Sequence, residues 1–194
     1  MTFEQLDFNG TYTYADYLKW TFAERLELIK GKIFNMSPAP STLHQKITGF
    51  LFYRFYGLFK NKSCQVFTAP YDVRLNNKQK KGDDELFTVV QPDVCVICDQ
   101  AKIDEKGCVG APDLIVEVLS KGNTKKEMKD KFEVYEENGV REYWLVSPNE
   151  KVIFMYVLNE SNTFIGQRPF TETDVIESVI FPKLKLKVKD IFKH

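Results

Sequence analysis

Short apolar runs rich in Val, Ile, Phe and Tyr alternate along the chain with amphipathic stretches of helical period. Leu114-Ile115-Val116-Glu117-Val118-Leu119 is almost unbroken and reads as a strand buried on both faces. Further strands are expected at Leu28 to Met36, Gln65 to Thr68, Tyr71 to Leu75, Phe87 to Cys98, Glu142 to Val146 and Val152 to Leu158, with late ones near Gln167 to Thr171 and Lys185 to Val188. Helices are expected near Tyr14 to Arg25, from Ser41 to Phe59, and from Lys125 to Asn138, where Gly122-Asn123-Thr124 supply turn and N-cap chemistry and Gly139 stops the run. A sheet flanked by two main helices is an α/β class.

Glu117 interrupts the most apolar of these runs. An unpaired carboxylate in a low-dielectric core costs several kcal/mol or gives up its charge, so a cation, a metal or a donor network must stand beside it. Gln91-Pro92-Asp93 offers a second acid at the head of the run Val94 to Cys98, where a proline is tolerated. If the two runs are neighbouring strands, Asp93 and Glu117 converge on one face. Paired carboxylates suit hard cations such as Mg²⁺ or Mn²⁺, which complete their shells with water and substrate phosphate.

The helix after the second strand supplies a cation. Met128, Phe132 and Tyr135, spaced i, i+4, i+7, fix its packed face, and Lys131 falls on that face while Lys125, Lys126 and Lys129 fall mainly outside. Glu117 lies about 10 Å before the strand end and Lys131 about 10 Å back along the helix, so both reach one level. A Glu117–Lys131 ion pair without any metal satisfies the same spacing.

Pro92-Asp93 followed by Glu117 resembles the PD-(D/E)XK nuclease superfamily. More closely, Gln91-Pro92-Asp93, Ala111 to Ser120, Lys131 with Tyr135, and Gly139 to Val146 resemble the Uma-two family of small prokaryotic candidate restriction endonucleases, as do Glu27 to Ile33 and His44-Gln45. The likeness runs to about Pro148. It implies a restriction-endonuclease-like core with a central mixed sheet, and metal-dependent phosphodiester hydrolysis, in DNA above all. Asp93, Glu117 and a backbone carbonyl near Val118 would hold Mg²⁺ or Mn²⁺, Lys131 would orient water or stabilise developing charge, and Glu27 would be an outer acid. Leu119 stands where the superfamily has its lysine; the Uma-two pattern takes it from the next helix, which here is Lys131. Lys121, where the family often has Pro, is a second candidate lysine. His44 is either hydrogen-bonded structure or a phosphate contact, and Asp113 reads as the entry of its strand.

Composition adds limits. The 194 residues are 43% hydrophobic and 14% aromatic and carry 27 basic and 27 acidic side chains, which fits one domain over 1–194 with a single sizeable core. Neutrality is awkward for a nuclease, whose affinity rests on neutralising phosphates. The basic groups are Lys78 to Lys81, Lys121 to Lys131 and Lys183 to Lys187, and only the middle one is expected beside the site. Cys95 and Cys98 point to opposite faces of a strand, and all four cysteines read as reduced thiols of a soluble cytoplasmic protein without membrane span. Phe50, Phe52, Tyr53, Phe55, Tyr56 and Phe59 make an aromatic helix more than one face wide, suited to a homodimer interface or a protein-binding scaffold.

Overall fold

The computed structural model describes residues 2–36, 40–75, 82–120 and 125–193, with the side chains of 126 and 127 left aside. Its helices are α1 (Tyr14–Tyr17), α2 (Thr42–Phe59), α3 (Lys125–Asn138) and α4 (Val188–Ile191). The early strands are β1 (Leu26–Ile29), β2 (Lys32–Asn35), β3 (Gln65–Thr68), β4 (Val73–Leu75), β5 (Thr88–Val90), β6 (Val94–Ile97), β7 (Ile103–Asp104) and β8 (Gly107–Val109). After them come β9 (Leu114–Val118), β10 (Glu142–Ser147), β11 (Val152–Leu158), β12 (Phe164–Gly166), β13 (Val175–Glu177) and β14 (Lys185–Lys187).

Two mixed six-stranded sheets result. One runs β2-β1-β5-β4-β8-β7, the other β12-β11-β10-β9-β6-β3, and β13 with β14 forms a separate ribbon. In the second sheet β9 and β10 are parallel, joined through α3, while β6 and β9 are antiparallel. Period two then sorts the side chains. Val94, Val96, Leu114, Val116, Val118, Trp144 and Val146 pack with Ile47, Leu51 and Phe55 of α2. Cys95, Ile97, Ile115, Tyr143 and Leu145 pack with Val134 and Tyr135 of α3. Glu117 shares the parity of this second set.

Helix boundaries follow local chemistry. Ser41 accepts from the His44 N–H at 3.2 Å as the N-cap of α2. Gly139 closes α3 at φ +84°, with its N–H on Glu136 O and the Val140 N–H on Tyr135 O, each at 3.0 Å, the bonding of a Schellman motif.

Five expectations are corrected. The helix expected near 14–25 stops at Tyr17, and Leu26 already belongs to a strand. The strand expected over 28–36 is a hairpin, because Lys30 (φ 51°) and Gly31 (φ 78°) form a two-residue turn of the kind that matches strand twist. A Cβ on Gly31 would meet Thr11 at 2.6 Å. The run 87–98 breaks at Gln91-Pro92-Asp93 into β5 and β6, and Phe164–Gly166 replaces the strand expected near 167–171, where Phe170 makes an isolated bridge to Ile153. Finally, Cys64 and Cys98 form a disulfide, while Cys95 and Cys108 are buried thiols. The antiparallel register of Gln65 with Ile97 brings residues 64 and 98 together at the end of the ladder, a proximity that spacing alone does not reveal. Among the described residues no helix is long and apolar enough to cross a membrane.

Candidate active site

The broken strand builds the site. β5 belongs to the first sheet and β6 to the second, and Pro92, which has no N–H for a ladder, sits where the chain changes sheets. Gln91 fixes this crossing. Its main-chain N–H donates to Glu27 Oε1 at 2.7 Å, its side-chain oxygen accepts from Arg25 at 2.6 Å, and its amide donates to Asp72 Oδ1 at 2.8 Å.

In the β6–β9 ladder Val94 faces Val116 and Cys95 faces Ile115. One step further along the same register sets Asp93 against Glu117, as the neighbouring-strand argument requires. Both line a cavity of about 270 Å³ together with Lys131, His44, Arg25 and Phe52.

Lys131 and Tyr135, one helical turn apart on α3, rise on the face toward β9. Lys131 Nζ lies 3.0 Å from Glu117 Oε1 and 3.0 Å from Glu27 Oε2, and the Tyr135 hydroxyl donates to Glu117 Oε1 at 2.6 Å. Glu27, Glu117 and Lys131 are 1%, 9% and 6% exposed. Asp93 Oδ2 accepts from the Val118 N–H at 2.7 Å and lies 3.2 Å from His44 Nε2.

Two carboxylates thus hold one lysine, and a third, Asp93, stands beside Glu117 on the neighbouring strand. Burial pushes Glu117 up, Lys131 pulls it down, and the charges of Asp93 and Glu27 add to the rise, leaving it at about 7. Burial alone would lower Lys131, but Glu117 and Glu27 outweigh it and hold the ammonium well above its usual value. Burial also opposes charge on His44, yet Asp93, Glu117 and the Val118 carbonyl raise it on balance. The cluster therefore carries more negative charge than its own lysine neutralises.

Among the described residues no group of three or more His, Cys, Asp or Glu side chains is arranged to hold a metal ion. The oxygen set at the cavity is smaller: the Asp93 and Glu117 carboxylates and the Val118 carbonyl. Such a set suits a hard divalent cation that keeps most of its water, and the surplus negative charge favours it.

Of the residues singled out in the sequence, Asp93, Glu117, Lys131 and His44 line one cavity, and Glu27 reaches them from the first sheet behind Lys131. Asp113 stands elsewhere, accepting from the Cys98 N–H at 2.8 Å and pairing with Arg141 at 3.0 Å. Lys121 lies outside the described residues. Arg25 escapes a reading that places it at a helix end. Glu27 is buried, and both of its oxygens are committed inside the protein.

The fold is restriction-endonuclease-like. Residues 14–189 match the Uma2 family, described as "Putative restriction endonuclease", and the chain belongs to that family. An uncharacterized protein of Synechocystis, slr1290, is 27% identical over 153 residues, which is 77% of this chain and 76% of that protein. The crystal structure of "a putative nuclease belonging to DUF820" from Anabaena variabilis superposes with a TM-score of 0.73 over 94% of this chain and 98% of that one, at 22% identity, a likeness of fold.

Proposed function

We propose that this protein is a metal-dependent nuclease that hydrolyses phosphodiester bonds in DNA. The observation that carries the reading is the meeting of Asp93 and Glu117 at the floor of an open cavity, with a buried lysine fixed by two carboxylates beside them. Asp93, Glu117 and the Val118 carbonyl would hold Mg²⁺ or Mn²⁺. When bound, the ion supplies Lewis-acid chemistry, acidifying an attacking water and offsetting charge on the phosphoryl oxygens.

The chain's own groups divide the remaining work. Lys131 stays protonated at neutral pH, so it acts as a fixed positive charge toward the phosphate and not as a proton acceptor. Glu27 holds that ammonium in place through Oε2 and the Gln91 turn through Oε1. His44 anchors Asp93 Oδ2 from the α2 side. Arg25, which lines the same cavity, would meet a flanking phosphate.

The test is cleavage of plasmid and single-stranded DNA in Mn²⁺ by the wild type beside Asp93→Ala, Glu117→Ala and Lys131→Ala. Activity in the wild type and its loss in all three supports the reading; an inactive wild type on every substrate sinks it. A non-catalytic nucleic-acid-binding module is the second reading, favoured by the fact that Lys131 and Glu117 already satisfy each other. DNA binding indifferent to chelator, without turnover, selects it.

A further inference from the structure

Helix α2 contains no aspartate or glutamate in a chain whose acids and bases balance at 27 each. Its inner stripe, Ile47, Leu51, Phe55 and Phe59, is buried in the core. The outer side carries Tyr53 at 72% and Tyr56 at 49% exposure, with the Phe52 and Tyr56 rings stacked at 5.7 Å and 23°. Among the described residues nothing lies within 4 Å of a Cβ placed on Gly49 or Gly57.

Two depressions flank the open side. Gln45, Thr48, Gly49 and Phe52 form one wall of the cavity that holds Asp93 and Glu117. Tyr53, Arg54 and Gly57 form one wall of a groove of about 320 Å³ whose other wall is Lys183 to Leu186, from β14 and the turn before it. Consecutive residues of the helix, Phe52 and Tyr53, thus open one into each. Lys183, Lys185 and Lys187 alternate outward around buried Leu184, Leu186 and Val188. Lys185 pairs with Glu177 at 2.9 Å, but both partners are half exposed, so the pair contributes little and exchanges readily for a phosphate.

We infer that this side of α2 is a track for an unpaired DNA strand, leading from the Lys183–Lys185 groove over the aromatic rings into the candidate site. The inference rests on the nuclease reading and names its substrate. Accessible rings interleaved with basic side chains are what a single strand needs, since each base offers a face for stacking and each phosphate a charge to neutralise. Duplex bases are already stacked on each other and have no face to give. A polyanion is the partner that fits an acid-free helix facing a lysine strand, and the local basic surface removes the difficulty raised by a net charge of zero.

The experiment is fluorescence anisotropy of a labelled single-stranded oligonucleotide with the full chain in chelator, for the wild type, Tyr53→Ala, Tyr56→Ala and the pair Arg54→Glu with Lys183→Glu, each first shown to melt as the wild type does. Each tyrosine change is expected to weaken binding by roughly fivefold or more, and the charge reversals to flatten the salt dependence by about 0.7 logarithmic units per lost phosphate contact. A duplex of the same sequence should bind more weakly and ignore the tyrosine changes. Wild-type affinity for the single strand in all variants overturns the track, as does sedimentation showing a dimer that Tyr53→Ala splits, for then a second copy covers the face. A wild type that cleaves DNA while these variants bind unchanged leaves the nuclease standing and the track refuted; strand binding lost in the variants of a protein that cleaves nothing does the reverse.

Discussion

The Tyr135 hydroxyl donates at 2.6 Å to Glu117 Oε1, the oxygen that Lys131 also engages. Tyr135 is fully buried, and its bond favours the ionised carboxylate against the burial that disfavours it. Tyr135→Phe should therefore cost about 1–3 kcal/mol in urea denaturation and push the Glu117 pKa above its present value. The acidic limb of the pH–activity profile should move to higher pH by the same cause.

Lys131 neutralises two carboxylates at once, so its removal leaves both uncompensated. Lys131→Met should destabilise by about 3–5 kcal/mol. Adding Glu117→Gln to it should restore part of that loss. A double-mutant cycle by denaturation that gave simple additivity would refute the coupling.

The pH dependence has a definite sign. Glu117 is raised from 4.5 to about 7, so the folded state binds its proton more tightly than the unfolded chain does. Its stabilising contribution is full below about 4.5 and is lost as pH rises through 7. His44, also raised, contributes stability below its usual 6.5 that is lost as pH climbs through its folded value. Both act in one direction. The metal-free protein should melt at a lower temperature at pH 8 than at pH 5.5 as far as these groups decide it. Added Mg²⁺ or Mn²⁺ should raise the melting temperature more at pH 8, and Glu117→Gln should shrink the pH difference toward the part that His44 contributes.

The Cys64–Cys98 disulfide closes a loop across 34 residues. Chain-entropy arguments give a stabilisation of about 3–4 kcal/mol for such a loop. Cys64→Ser, or reductant, should lower stability by that order. Thiol counting on the unfolded, unreduced protein should find two reactive cysteines, and four after reduction.

What the sequence made legible followed the reach of its regularities. The period-two run around Glu117 and the i, i+4, i+7 face of α3 locate a carboxylate and an ammonium at one height, and the pair is 3.0 Å apart. The strand at Gln65–Thr68 and the bounds of α3 were equally plain, because each has turn residues at its ends. Failures came where two short apolar runs were joined across a change of direction. The polar breaks Lys30-Gly31-Lys32 and Gln91-Pro92-Asp93, with their Gly and Pro, are the signal of the turn and of the passage between sheets. The Cys64–Cys98 bond needed strand pairing, which is nonlocal, and so did the place of Glu27, whose strand is in the other sheet. Glu142 shows the limit of reading a buried acid as chemistry: it is fully buried in β10, yet Trp144 and the N–H groups of Val179 and Ile180 satisfy it at 2.6, 2.8 and 3.0 Å.

The passage at Gln91-Pro92-Asp93 also bears on how the molecule reports an occupied site. Glu27 hangs from one sheet, Asp93 and Glu117 from the other, and Lys131 ties them together across the gap. A cation or phosphate bound as proposed is expected to tighten that tie. Amides of β1 and β5 on one side and of β9 and β10 on the other should then be protected together when ligand binds, so that a surface event is heard in the backbone of both sheets.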